Sequence, residues 1–328
     1  MTIARVAAVQ ASPVFLDRDR TIDKVGDLVA QASTDGAELV LFPETFVPGY
    51  PDWVWRTPPW RDGAWIGRLA EQSVTVPSDA TDRLGAIARE HHVYLVVGIN
   101  ERDTASSTLY NSLAYFSPDG DLLGCHRKLM PTGGERLAWG SGDGSTLTVI
   151  DTPFGRVGGL ICWENYMPMA RMAMYAQGID ILLAPTWDNS DVWVPTLRHI
   201  AKEGRCFVIG ATPYQHGSDV PPELDAGGSL YPGDEDDWMS KGNTTIVGPD
   251  GDILAGPLIG NEGIVTADLD LDRIGTARRQ FDPVGHYARP DVFHLEVDTN
   301  PRPAVTFLDP HHQTPVQAPE PDETPRQG

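Results

Sequence analysis

The amino-acid sequence predicts an α/β protein in which two β-sheets lie face to face with helices outside them. Short runs that are apolar on both faces and rich in Val, Ile and Leu recur along the chain, as ELVLF at 38–42, VYLVVGI at 93–99, VGGLI at 157–161, IDILLA at 179–184 and CFVIGA at 206–211. That is the pattern of buried strands. Amphipathic stretches at helical spacing lie between them. Finally, LAYFSPDGDLLG at 113–124 and TTIVGPDGDILAG at 244–256 share one design of strand, Pro-Asp-Gly turn and strand, and such a hairpin in each half favours two related sheets over one doubly wound sheet.

Taken in order, the opening RVAAVQ reads as a first strand, and Ile22, Val25, Leu28, Val29 and Ala32 recur at helical spacing before Gly36. A second helix carries Leu84, Ile87, Ala88 and His91 behind a Ser78 cap. A third is expected to begin at Pro168, a favoured first-turn residue, and to stop at Gly178; a fourth is expected from about Pro195 through Leu197, Ile200 and Ala201. The stretch from Pro301 to Gly328 holds seven prolines and ends QAPEPDETPRQG, a composition that buries little apolar surface. Residues 1–298 are therefore expected to form the domain and 299–328 a flexible tail.

Composition narrows the function. The 328 residues carry a formal net charge of −21 with no block of Lys and Arg, which disfavours nucleic acid and anionic membrane surfaces as partners. No apolar stretch approaches the roughly 18 residues of a membrane span, and the N-terminus does not have the form of a signal peptide, so a cytoplasmic protein is expected. Cys125, Cys162 and Cys206 are too few and too scattered for a disulfide framework or a Cys-rich zinc site.

Three stretches stand out chemically. In LVLFPETFVPGYP a buried strand stops at Pro43 and delivers Glu44 to its end; an isolated glutamate there is ordinarily solvated or ion-paired, but the loop that follows, YPDWVWRTPPW, is densely aromatic. Tyr50, Trp53, Trp55 and Trp60 could wall an apolar pocket or pack among themselves. The segment CHRKLMPTGGERLAWGSGDGS ends a strand in Lys128 and opens into a Gly-rich loop that matches neither phosphate-binding pattern. Alone, Lys128 reads as a surface lysine and Glu135 as its solvated partner. In GGLICWENYMP, Cys162 sits where a strand hands over to a helix, which exposes it to the positive end of a helix dipole. Taken by itself it is more simply a small core side chain, as are Cys125 and Cys206. There is no GxSxG elbow, and the His pairs at 91–92 and 311–312 have no ligand-spaced companions, so a serine hydrolase and a zinc enzyme are both disfavoured.

Together, FPETFVPGYP, HRKLMPTGGERLAWGSGDGS and GGLICWEN resemble the three signature stretches of the nitrilase superfamily, in order, and the resemblance extends over about residues 4–295. Within that superfamily the last two resemble the nitrilase branch more than the amidase or carbamoylase branches. The resemblance implies a four-layer αββα sandwich, pairing of two protomers into an αββαββα block, and a homodimer or a larger, even spiral, assembly. It implies a site that needs neither metal nor organic cofactor. Carried over by position, Glu44 is the general base, Lys128 stabilises the tetrahedral intermediates, Cys162 is the nucleophile, and Glu135 holds Lys128 or a water. The expected reaction is hydrolysis of a small-molecule nitrile to a carboxylic acid and ammonia, with Tyr50, Trp53, Trp163 and Trp187 as pocket walls and aryl or arylaliphatic nitriles favoured by the aromatic content. The alternatives are an aliphatic amidase or carbamoylase, or a cyanide dihydratase, using the same Glu-Lys-Cys set. A catalytically silent assembly protein is a further alternative.

Overall fold

A computed structural model describes residues 2–225 and 228–305. The first half runs β1 (Ile3–Gln10), α1 (Arg18–Thr34), β2 (Leu39–Leu41), α2 (Gly63–Gln72), β3 (Val74–Thr75), α3 (Asp79–His91), β4 (Tyr94–Arg102), β5 (Leu109–Phe116) and β6 (Leu122–Arg127). It continues with β7 (Val149–Thr152), β8 (Gly155–Gly159), α4 (Pro168–Ala176), β9 (Ile181–Pro185), α5 (Trp193–Gly204), β10 (Phe207–Ala211) and β11 (Tyr214–His216). The last elements are β12 (Trp238–Lys241), β13 (Thr244–Val247), β14 (Ile253–Leu258), β15 (Gly263–Asp270) and α6 (Asp272–Gln280).

Two main sheets result, ordered β15-β1-β2-β4-β5-β6, with β3 beside β4, and β14-β13-β10-β9-β8-β7. Each has three parallel strands at its centre, β1-β2-β4 in one and β8-β9-β10 in the other. An antiparallel hairpin flanks each trio on one side, β5-β6 or β13-β14, and a single antiparallel strand, β15 or β7, on the other. The paired Pro-Asp-Gly segments of the sequence are those two hairpins.

The layering follows from the two-residue alternation of strand side chains. Ala8, Leu39, Leu41 and Val96 of the first sheet meet Ile181, Leu183, Phe207 and Ile209 of the second in one buried cluster. The opposite faces turn outward: Ala7, Val9, Val40 and Val97 pack on Ile22, Val25 and Val29 of α1 and Leu84 of α3. Leu182, Ala184 and Val208 pack on Met174 of α4 and Leu197 and Ile200 of α5. The order of layers is αββα. With both faces covered, the inner strands have no polar face to show, which is why they read as continuous apolar runs.

Local details depart from expectation in a few places. At the start of α3 it is the Ser78 backbone N–H that donates to Thr81 Oγ1, at 2.8 Å, so the threonine side chain supplies the cap. α5 begins at Trp193, two residues before Pro195. The helix α2 and the ribbon β11-β12 were not anticipated; α2 buries only Trp65 and Leu69, too few positions to establish a period. Among the described residues no helix is long and apolar enough to cross a membrane. Residues 301–305 are exposed, and the rest of the expected tail, 306–328, with the His311–His312 pair, lies outside the described residues.

One glycine ties this framework to the loop after β2. A Cβ on Gly98 of β4 would stand 2.2 Å from the Pro43 carbonyl oxygen and 2.4 Å from the Thr45 nitrogen, both backbone atoms. Gly98→Ala is therefore expected to lift the Pro43–Thr45 segment, to cost about 1–3 kcal/mol in a denaturant titration, and to depress turnover through Glu44 beyond the loss of folded protein.

Candidate active site

Strand ends of both sheets converge on one buried cluster. Glu44 lies just beyond β2, where Phe42 N–H still donates to Val96 O at 2.9 Å before Pro43 and the positive φ of Thr45 (46°) turn the chain away. Lys128 follows β6, its N–H donating to Asn111 O of the neighbouring β5 at 2.8 Å. Glu135 lies in a short 3₁₀ turn, Gly133–Leu137. Cys162 follows β8 and opens another, Cys162–Tyr166.

Glu44, Lys128 and Glu135 make one hydrogen-bonded set, with Cys162 in its field of charge. Lys128 Nζ donates to Glu44 Oε1 and to Glu135 Oε2, each at 2.8 Å. Glu44 Oε1 also accepts from Asn111 Nδ2 at 2.6 Å, and its Oε2 accepts from the backbone N–H of Trp187 at 2.7 Å. Glu135 Oε2 accepts from Thr132 N–H at 2.6 Å and its Oε1 from the Tyr50 hydroxyl at 2.7 Å; that hydroxyl in turn accepts from Trp55 Nε1 at 3.2 Å. The Thr186 hydroxyl donates to Cys162 Sγ at 3.1 Å. Glu44, Lys128, Glu135 and Cys162 are all buried.

Burial and charge set the protonation states. Burial alone would lower the Lys128 pKa, but Glu44, the Cys162 side chain and Glu135 outweigh it, and the ammonium is held protonated far above its ordinary range. Glu44 is raised by burial, with Lys128 pulling down and Glu135 pushing up. The Cys162 thiol is pushed well up by burial and by the Glu44 carboxylate, against the opposing pull of Lys128. The Cys162 side chain thus rests as a neutral thiol. The expected help from a helix dipole is absent, because a 3₁₀ turn separates Cys162 from the Pro168 start of α4. Cys162 instead holds a left-handed backbone, φ 53°, a conformation costing a non-glycine residue about 1–3 kcal/mol and kept only where its surroundings over-determine it.

The expected pocket walls divide. Tyr50 is buried and stacks on Trp187, with ring centroids 4.2 Å apart and planes at 8°. Trp163 is 49% exposed, its indole N–H donating to Asp188 Oδ2 at 2.9 Å. Trp53 is no wall: its ring is fully buried, stacked on Trp65 and edge-on to Phe15. The loop is aromatic partly because it builds a core of its own. Trp60 is almost fully exposed.

Sequence reasoning passed over Asn111, Thr186 and Glu164. Asn111 sits in an unremarkable strand and Thr186 in the apolar run LLAPTW. Glu164 was legible only as part of CWEN, yet it is fully buried and bonded to His126, whose Nε2 lies 3.1 Å from its Oε2. Among the described residues no group of three or more His, Cys, Asp and Glu is placed to hold a metal.

A family model described as carbon-nitrogen hydrolase matches residues 5–279. The chain is 47% identical over 312 residues to an aliphatic nitrilase of Sinorhizobium fredii (strain HH103), covering 93% of this chain and 99% of that protein. It is 45% identical over 322 residues to nitrilase 1 of Arabidopsis thaliana, covering 94% and 90%. Among solved structures, a carbon-nitrogen hydrolase from Helicobacter pylori G27 superposes with a TM-score of 0.71 at 24% identity, over 89% of this chain and 97% of that one.

The buried lysine lends itself to a direct test. Lys128→Met removes the cation between two buried carboxylates and is expected to destabilise the protein by about 3–5 kcal/mol at neutral pH. The deficit should narrow as pH falls and Glu44 takes up a proton, because an acid raised in the folded state regains stability below its folded pKa. Chemical denaturation at a series of pH values reads both.

Proposed function

The chain belongs to the carbon-nitrogen hydrolase family, on its nitrilase branch, and is a hydrolase of small-molecule nitriles; we propose that the reaction runs through a covalent bond to Cys162. The observation that carries this is the Lys128 ammonium clamped between Glu44 and Glu135, with the Cys162 thiol in the same field of charge.

Because the thiol rests protonated, attack needs a base. Glu44 removes the proton as the sulfur adds to the nitrile carbon, and delivers it to the nitrile nitrogen to give a thioimidate. Positioned proton transfer of this kind contributes about 10²–10⁴-fold. A water, deprotonated by Glu44, adds to the thioimidate carbon; Glu44 relays both of the water's protons in turn to the nitrogen, ammonia departs, and a thioester remains. A second water, deprotonated by Glu44, attacks the thioester; the carboxylic acid leaves and the thiol is restored. Lys128 and the Trp163 backbone N–H stabilise the negative charge that develops at each addition. The turn beginning at Cys162 offers that N–H no acceptor within itself, which suits it to the task. Glu135 keeps Lys128 in place while Tyr50 and Thr132 hold Glu135.

On the substrate side, stacking uses up one face each of Tyr50 and Trp187, and Trp53 is withdrawn into the core. The aromatic content therefore does little to favour aryl nitriles, and we favour an aliphatic nitrile, in keeping with the name of the 47% identical relative. We further propose that two copies pair across the α4 face. There Met169 is exposed beside Tyr287 and Phe293 of the segment after α6, apolar side chains that line one surface pocket together. Light scattering should give twice the monomer mass or more.

Offered an aliphatic nitrile, an arylacetonitrile, the matching amides, a carbamoyl amino acid and cyanide, the enzyme is expected to release ammonia and acid fastest from the aliphatic nitrile. Acid from an amide and none from any nitrile would overturn the reading. Cys162→Ala and Glu44→Gln should each lose at least about 10³-fold in kcat, and intact mass of trapped wild type should show an adduct on Cys162. The acid limb of kcat/KM should lie above the ordinary carboxylate range of about 4.3, since the base is Glu44 and activity is lost as pH falls through its raised pKa.

A further inference from the structure

His126 and Glu164 form a fully buried ion pair that the chemistry above does not use. Glu164 Oε1 accepts from the Leu129 N–H at 2.6 Å, and its Oε2 accepts from the Ile161 N–H at 2.6 Å. Leu129 is the residue after Lys128, and Ile161 is the residue before Cys162. His126, two residues before Lys128, directs Nε2 at both carboxylate oxygens, 3.1 and 3.3 Å away, while its Nδ1 lies 2.8 Å from the Thr146 carbonyl oxygen. That carbonyl is an acceptor only, so Nδ1 carries a hydrogen; with a carboxylate on the other side the ring stands as imidazolium. Burial pulls the imidazole pKa down, but the neighbouring Glu164 charge outweighs it and the net displacement is upward.

One carboxylate thus grips the backbone on the inner side of each functional side chain. The grip matters most at Cys162, whose left-handed backbone must be imposed from outside. Glu164 fixes the residue before it, and Asn165 Nδ2 fixes the residue itself by donating to the Cys162 carbonyl at 3.0 Å and to that of Leu160 at 2.7 Å. Arg171 of α4 anchors this turn by donating to the Asn165 carbonyl at 2.6 Å. Lys128 comes from the edge of the first sheet and Cys162 from the second, and the Glu164 carboxylate spans the two directly.

We propose that His126 and Glu164 are positioning residues: together they set the place of the Cys162 sulfur relative to the Lys128 ammonium, and they act on the covalent steps rather than on substrate binding. This rests on the reading of Cys162 and Lys128 given above. Misplacement of reacting groups by about 1 Å can cost on the order of 10²-fold.

The test compares wild type, Glu164→Gln, His126→Gln, the double variant and Cys162→Ala on the best nitrile. Glu164→Gln turns an amide N–H₂ toward one of the two backbone donors, whereas His126→Gln keeps a neutral donor toward Glu164 and is the milder change if the first folds poorly. The expected result for each single variant is a fall in kcat of about 10–100-fold with KM within about threefold and a cooperative thermal melt retained. Alkylation of Cys162 by iodoacetamide should slow in parallel, and the double variant should be no worse than Glu164→Gln, as for two residues acting as one unit. Wild-type kcat in both single variants, a rise in KM accounting for the loss, or losses that multiply in the double variant would overturn the proposal. If Cys162→Ala itself turned over substrate, it is the assignment of the nucleophile that would fall.

Discussion

A lysine ammonium without access to water, held at 2.8 Å from two carboxylates, is the constraint around which this molecule is organised. Desolvating three charges is costly, and mutual attraction offsets that cost only when every remaining donor and acceptor is satisfied. The fold supplies those partners from all sides: Asn111 from β5, the Trp187 N–H from beyond β9, the Thr132 N–H and the Tyr50 hydroxyl. The cluster carries one more negative than positive charge, and that excess sits beside a buried thiol. The thiol therefore stays neutral at rest, and the proposed reaction has to open with a base.

The sandwich makes this convergence possible. Each sheet has the same plan of three parallel strands between a hairpin and a single antiparallel strand, so their carboxyl ends offer loops toward a common site. The first sheet contributes Glu44 and Lys128, and the second contributes Cys162 and Thr186. Open α/β sheets place their chemistry beyond the carboxyl ends of strands; here two such sheets share one site. Because those ends also turn sharply, the backbone departs from common geometry at Thr45 and Cys162.

Much of this was legible in the chain, for physical reasons. Doubly covered strands must be apolar on both faces, so β2, β4, β8, β9 and β10 are visible as runs, and the Pro-Asp-Gly turns mark both hairpins. Glu44 and Cys162 stand out in the chain because each follows such a run, and Lys128 because it lies in a recognisable stretch after β6. Asn111, Thr186 and His126 do not, because a polar residue inside or just after a strand has no local signal; its meaning comes from a partner far along the chain. Trp53 failed in the opposite direction. An aromatic cluster looks the same in sequence whether its rings face a ligand or each other, and only packing against Phe15 and Trp65 decides. The helix dipole expected at Cys162 failed because five residues of 3₁₀ turn were invisible as a separate element.

The stacked pair Tyr50 and Trp187 carries a consequence for how such an enzyme can diversify. Each contributes a ring to the surroundings of the site, yet the Tyr50 hydroxyl holds Glu135 and the Trp187 backbone N–H holds Glu44. A change at Tyr50 made to admit a new substrate would therefore alter the electrostatics of the reaction as well, and selection or engineering would meet both effects at once. The Trp163 side chain is half exposed, its indole donating to an outer aspartate and its ring edge-on to Tyr166. Variation in substrate preference has an easier route there, and a library built around this scaffold would gain more by varying Trp163 than by varying the stack.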